Sequence, residues 1–227
     1  MLRYFGLQDV SGVRLDKKLD ALFQQKTDGF FVELGANDGI RQSNTAFFEF
    51  FRGWRGVLVE PSPSGYRSCQ VQRPKSRSFH AACVGPDFQQ SYIEGDFTGD
   101  LMSSVDGKRL GSPTRIQVSA RTLTSILESA GAPASFDLLS LDTEGYELNV
   151  LEGLDLNRYR PRYMVIEVYT WDYEKICSYL ATQGYSLVCN FSGYTKEGHP
   201  TWDGTHNDYL FKDSREPPQP PSSSDHA

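Results

Sequence analysis

The sequence predicts an α/β domain built on a mostly parallel sheet, and three observations predict it. Short β-prone runs alternate with stretches whose apolar residues recur at helical spacing. The first such run ends in glycine, as a buried parallel strand meeting a turn does. A length of 227 residues, 38% hydrophobic and 23% charged, fits one folded domain and excludes a disordered or collagen-like chain. We expect that domain to span residues 1–213.

Leu15, Leu19, Leu22 and Phe23 share a helical face, which predicts an opening helix within residues 13–26, closed by Thr27-Asp28-Gly29. Phe30 to Leu34 reads as the first strand. A helix beginning near Ser43 carries Phe47, Phe50, Phe51 and Trp54. A strand at Gly56 to Glu60, a helix from Ser62 to Arg73 and a strand at Arg77 to Val84 follow, joined by right-handed crossovers. The pattern weakens over residues 86–118, which we read as an insertion containing a hairpin and a mobile loop. Helical spacing returns at Leu123, Ile126, Leu127 and Ala130, with Gly131 as C-cap. Then come a strand at Phe136 to Leu141, a helix at Glu144 to Glu152, a strand at Tyr163 to Val168 and a helix at Trp171 to Gln183. Two late strands, Tyr185 to Cys189 and His206 to Lys212, lack a helix between them and are expected to pair antiparallel. Residues 214–227 are Pro/Ser-rich and read as an unstructured tail.

Lys and Arg number 23 against 29 Asp and Glu, a net charge of -6, which argues against a protein whose affinity comes from neutralising nucleic-acid phosphates. No apolar run is long enough to span a bilayer, and Met1 to Asp16 lacks a secretory signal, so a cytoplasmic location is expected. Cys69, Cys83, Cys177 and Cys189 form no C-x-x-C pair and are read as isolated buried thiols.

Val32 to Gly39 carries the most chemistry: a strand delivers Glu33, then Gly35 and Gly39 frame the turn into a helix, where a ligand can approach the backbone. Glu60 ends the second strand about 20 residues later, the place from which an acid accepts hydrogen bonds from ribose hydroxyls. Ala36-Asn37-Asp38 replaces the middle glycine of a dinucleotide site, and Asp38 would repel a pyrophosphate. Glu33, Asp38 and Glu60 instead suit a cation with an ammonium and a sulfonium, which S-adenosylmethionine is and NAD is not.

Phe31-Val32-Glu33-Leu34-Gly35-Ala36-Asn37-Asp38-Gly39, Ser43-Asn44-Thr45, Gly53 through Pro63 and Leu139 through Glu147 together closely resemble the FkbM-type methyltransferase family. The resemblance implies a class I methyltransferase fold: a Rossmann-like, seven-stranded, mostly parallel sheet with its last strand antiparallel and helices on both faces. It also implies an S-adenosylmethionine-dependent enzyme, often one that methylates hydroxyls of sugars or natural products. By that resemblance Glu33, Gly35, Asn37 and Gly39 line the methionine end of the cofactor, with Ala36, Asp38, Ser43, Pro61 and Ser62 in the same motifs. Glu60 holds the ribose, and Asp142 and Glu144 face the reaction centre. The sequence departs from the family at Ser140, where a lysine is usual.

Each reading has a structural counterpart. Asp142 is also a possible helix N-cap, Glu144 a first-turn acid, Ser43 to Thr45 a helix cap, Asp172 a cap and His80 a core residue inside a strand. His199 and His206 flank the late loop, and His206 is the histidine we assign as a base for the acceptor proton. Glu167 and Asp172 are expected to border the acceptor pocket, and Ser103 and Ser104 to lie in a solvated loop. We expect no metal site, since Asp142 and Glu144 would need Asp208 or Asn207 to approach. The expected partner is a small-molecule or glycan substrate. A nicotinamide-dependent oxidoreductase, an inactive binding module and a nucleic-acid methylase are the competing readings; the last lacks the expected Asn/Asp-Pro-Pro-aromatic tetrapeptide.

Overall fold

The computed structural model describes residues 2–95, 97, 115–200 and 202–215. In chain order the elements are α1 (Leu15–Leu22), β1 (Phe30–Leu34), α2 (Ala46–Phe51), β2 (Arg55–Val59), α3 (Pro63–Gln72), β3 (Arg77–Phe79), β4 (Ala82–Cys83) and β5 (Tyr92–Gly95). These are followed by β6 (Ile116–Arg121), α4 (Leu123–Ala130), β7 (Ser135–Leu141), α5 (Glu147–Glu152), β8 (Arg160–Tyr169), α6 (Tyr173–Thr182), β9 (Tyr185–Asn190) and β10 (His206–Asp213).

Seven strands form one sheet in the order β3-β2-β1-β7-β8-β10-β9, and only β10 runs against its neighbours. This is the strand order of a class I methyltransferase. The order reverses between β1 and β7, and ligands bind outside the carboxyl ends of strands at such a switch point. Strand alternation sorts the core. Val32, Leu34, Leu139, Leu141, Met164 and Ile166 pack on one face with Ile126, Leu127, Val150 and Leu151 of α4 and α5. Phe31, Leu138, Val165 and Leu210 pack on the other with Leu15 and Leu19 of α1, Phe47 and Phe48 of α2, and Trp54. The same period of two puts Glu33, Ser140, Glu167 and Asp208 on this second face, beside the switch point.

Local chemistry sets the helix ends. Ser62 accepts the Gly65 N–H with Pro63 at the first turn of α3, and Thr122 accepts the Ser125 N–H at α4, which closes on Gly131 in the left-handed region as expected. Four expectations change. The opening helix is shorter than 13–26, because Gln24 and Gln25 turn left-handed after α1. The expected strand Arg77 to Val84 divides: β3 joins the main sheet, while β4 pairs with β6 in a small sheet of order β4-β6-β5. His80, at the break, is exposed and stacks on Tyr66 rather than sitting in the core. Of the free cysteines, Cys69 and Cys83 are buried, Cys177 is half-buried and Cys189 is exposed on the edge strand β9. The expected hairpin in the insertion exists as β5 against β6, and β9 pairs antiparallel with β10. Ser103, Ser104 and the tail beyond Arg215 lie outside the described residues. No helix among the described residues is long and apolar enough to cross a membrane.

Candidate active site

A cavity of about 510 Å³ opens at the carboxyl ends of β1, β2, β7 and β8. Its floor is the turn after β1. Gly35 has φ +74°, and a Cβ there would sit 1.9 Å from the Asp142 carbonyl oxygen, so the two loops meet only because this residue is glycine. Asn37 is also left-handed, at φ +48°, and aims its N–H at Glu60 Oε2 over 2.7 Å. Glu60 Oε1 accepts the Ser62 N–H, also at 2.7 Å. A side chain at Gly65 would come within 2.9 Å of Glu60 Cγ, so glycine lets α3 lie against this carboxylate. Burial pushes the Glu60 carboxyl up to about 7, with the two backbone donors pulling the other way.

Glu33 is held by the protein itself. Ser43 Oγ donates to both its oxygens at 3.0 and 2.9 Å, Asn44 N–H donates at 3.0 Å and Thr45 Oγ1 at 2.6 Å. Fully buried Arg73 approaches Glu33 to 3.5 Å and Glu49 to 3.0 Å, and donates to the Gly39 carbonyl and Thr45 Oγ1. Ser43 also accepts the Ala46 N–H, so it starts α2 as well as binding Glu33.

The wall from β7, β8 and β10 is acidic. Asp142, Glu144 and Glu167 offer carboxylate oxygens within 4.8 Å of one another. Neither Asp142 nor Glu144 belongs to a helix: α5 starts at Glu147, whose Oε1 collects the N–H groups of Thr143 and Gly145. The expected capping alternatives for both residues are therefore corrected. Glu144 is left-handed at φ +57° and accepts the Tyr169 hydroxyl at 2.8 Å. Burial, then the Glu144, Glu147 and Asp208 charges, hold the Asp142 carboxyl well above its ordinary value; burial, then Asp142 and Glu144, do the same at Glu167. His206 Nε2 lies 3.4 Å from Glu167 Oε1, and its Nδ1 lies 2.8 Å from Thr205 Oγ1.

Of the residues singled out in the sequence, Glu33, Gly35, Ala36, Asn37, Ser43, Glu60, Pro61, Asp142, Glu144, Glu167, His199 and His206 line this cavity. Asp38, Gly39 and Ser62 do not. Asp38 spends one carboxylate oxygen on the N–H groups of Ile40 and Arg41, an Asx-type turn rather than a ligand contact. Asp172 stands at the N-cap position of α6 without a side-chain cap and pairs with Lys175. Asn207 is turned to Ser192 and Tyr194, so Glu167 takes the place beside Asp142 that was considered for Asn207 or Asp208. Ser140, noted in the sequence as the departure from the family, lines the cavity and accepts from Asn44 Nδ2; sequence reasoning missed Phe97, Tyr194 and Trp202, which also line it. The signal for these three was the density of aromatics in and around the 86–118 insertion and the loop before β10.

The sequence family described as "Methyltransferase FkbM domain" matches residues 33–187. No curated protein matches the chain. Similar solved structures include a TehB-like SAM-dependent methyltransferase from Corynebacterium glutamicum (10% identity, TM-score 0.48, covering 88% of this chain and 86% of that one). A precorrin-6y C5,15-methyltransferase from Geobacter metallireducens is 12% identical with a TM-score of 0.48, covering 87% and 86%. A SAM-dependent methyltransferase from Geobacter sulfurreducens, in complex with S-adenosyl-L-homocysteine, is 9% identical with a TM-score of 0.45, covering 87% and 88%.

Proposed function

The chain belongs to the FkbM family of S-adenosylmethionine-dependent methyltransferases, and from that premise we propose that its acceptor is a hydroxyl of a sugar or other small molecule. The supporting observation is the grouping of Asp142, Glu144, Glu167 and His206 on one wall of the cavity. A hydroxyl must lose its proton as it is methylated, and this wall concentrates groups able to take one.

The residues present fit the cofactor. The cavity volume lies in the range of small-molecule sites. Each Glu60 oxygen accepts one backbone N–H, which leaves lone pairs for two ribose hydroxyls. The Gly35 to Asn37 turn brings backbone close to the ligand, and Leu34, Val59, Ala81 and Phe97 offer apolar surface to a base. When bound, the cofactor supplies an electrophilic methyl group on a sulfonium. The chain's own residues then orient the acceptor: Asp142 and Glu144 accept its hydrogen bonds, and His206 takes its proton. Glu167, 3.4 Å from the imidazole, stabilises the imidazolium that results.

The test is methyl-labelled cofactor with a panel of glycosides, phenols and amines. Labelled O-methyl products are expected, together with a loss of turnover of about 10²- to 10⁴-fold in His206→Ala at unchanged affinity for S-adenosylhomocysteine. Transfer to nitrogen acceptors alone, or a His206→Ala variant with wild-type turnover, would contradict the reading.

A further inference from the structure

Asp142 and Glu144 leave the loop after β7, Glu167 points from β8, and their oxygens converge within 4.8 Å. Like charges this close in a shielded hollow repel one another. The strongest influences on Asp142 and Glu167, after burial, are other carboxylates. A second observation points to a missing partner. Glu167 is 7% exposed, and among the described residues neither its Oε2 nor the equally inaccessible Oδ1 of Asp142 meets an N–H or hydroxyl donor; the two carboxyls meet each other instead. Buried carboxylate oxygens are ordinarily satisfied by donors or by a metal.

The spacing suits one ion. Oxygens bound to a common cation at 2.3–2.6 Å are at most about 4.6–5.2 Å apart, whereas the shorter bonds of Mg²⁺ limit them to about 4.2 Å. The three carboxylate oxygens lie within 4.8 Å of one another, close enough for one such cation to reach all of them. We propose that Asp142, Glu144 and Glu167 bind one divalent cation of the oxygen-preferring kind, Mn²⁺, Ca²⁺ or Mg²⁺, on the acceptor side of the cavity. Three carboxylates supply part of a six- to eight-ligand sphere, leaving positions open toward the hollow. His206, near Glu167 Oε1, and Tyr169, donating to Glu144, hold the two glutamates in place. The assignment holds whichever acceptor atom is methylated.

The experiment is a titration of the full chain, stripped with EDTA, with Mn²⁺ followed by the electron paramagnetic resonance signal of the free ion. One saturable ion per chain is expected, with Kd below about 1 mM and displaced by Ca²⁺. Glu167→Gln and Asp142→Asn should each weaken it at least about tenfold, while Asp172→Asn, outside the cavity, should not. A thermal shift with S-adenosylhomocysteine in both site variants verifies that they are folded. No saturable Mn²⁺ binding by the wild type, or binding that neither site variant weakens, overturns the assignment. Either outcome leaves the methyltransferase reading standing, and failure of O-methyl transfer leaves the ion titration unaffected.

Discussion

Two sets of buried or half-buried acids lie on the same face of the sheet, and they are treated in opposite ways. Beside β1, Glu33 and Glu49 share the guanidinium of Arg73, and hydroxyls or backbone N–H groups take up their oxygens. Beside β7 and β8, Asp142 and Glu167 face mainly other carboxylates, and each keeps an oxygen without a donor. Residue type is similar, and Glu167 is buried as Glu33 and Glu49 are, so neither residue type nor burial distinguishes framework from chemistry. What does is whether the protein completes its own hydrogen bonds. A carboxylate saturated from within holds the loop in place, whereas one left open is available to a ligand, a proton or an ion.

The largest effect expected from this contrast is on stability. Arg73→Met removes the one cation from the β1 set and strands two buried acids, which should cost about 3–5 kcal/mol in a urea melt. If the loss is below about 1 kcal/mol, the network is not what holds the turn. The same logic reverses beside β7. Asp142→Asn relieves repulsion, so the cofactor-free protein should be as stable as the wild type or up to about 1 kcal/mol more stable. Its turnover should nevertheless fall by about 10²- to 10⁴-fold. A variant that loses stability and activity together would place Asp142 with the framework acids and erase the difference between the two regions.

What could be read in the sequence follows the range of the interactions involved. β1 and α4 were legible, because Phe30 to Leu34 ends in Gly35, and Gly131 closes the helical spacing that runs from Leu123 to Ala130. The strand expected at Arg77 to Val84 was not, since an apolar run does not reveal that His80 turns outward and passes the chain to a second sheet. Asp38 and Glu60 looked alike as acids in a ligand-binding region. The first is consumed by its own turn, two and three residues on, while the second reaches across to Asn37. Arg73 had no signal at all, because an arginine at a helix end is ordinarily solvated. Its role depends on Glu33 and Glu49, which only the packing of α2 and α3 against β1 brings near. Glu167 was legible as a border residue from its strand end, but its meeting with Asp142 required the parallel register of β7 and β8.

Glu60, at the end of β2, shares features with both sets and sharpens the comparison most finely. It is buried like the framework acids, yet among the described residues its donors are the Asn37 and Ser62 N–H groups alone, and its carboxyl stands at about 7 against an ordinary 4.5. A carboxyl raised by folding favours the protonated native state, so its contribution to stability is complete below about pH 4.5 and is lost as pH rises through about 7. Glu60→Gln should therefore flatten that part of the stability profile. Ligand hydroxyls donate to the ionised form and favour it, so wild-type affinity for S-adenosylhomocysteine should rise by up to about tenfold per pH unit below 7 and level off above it. Calorimetry from pH 6 to 8 should also record proton release on binding at the acidic end. Glu60→Gln should bind more weakly at pH 8 and lose the slope that Glu60 contributes. An unchanged slope would mean that the ribose hydroxyls do not meet this carboxylate, and Glu60 would then join Glu33 as part of the frame.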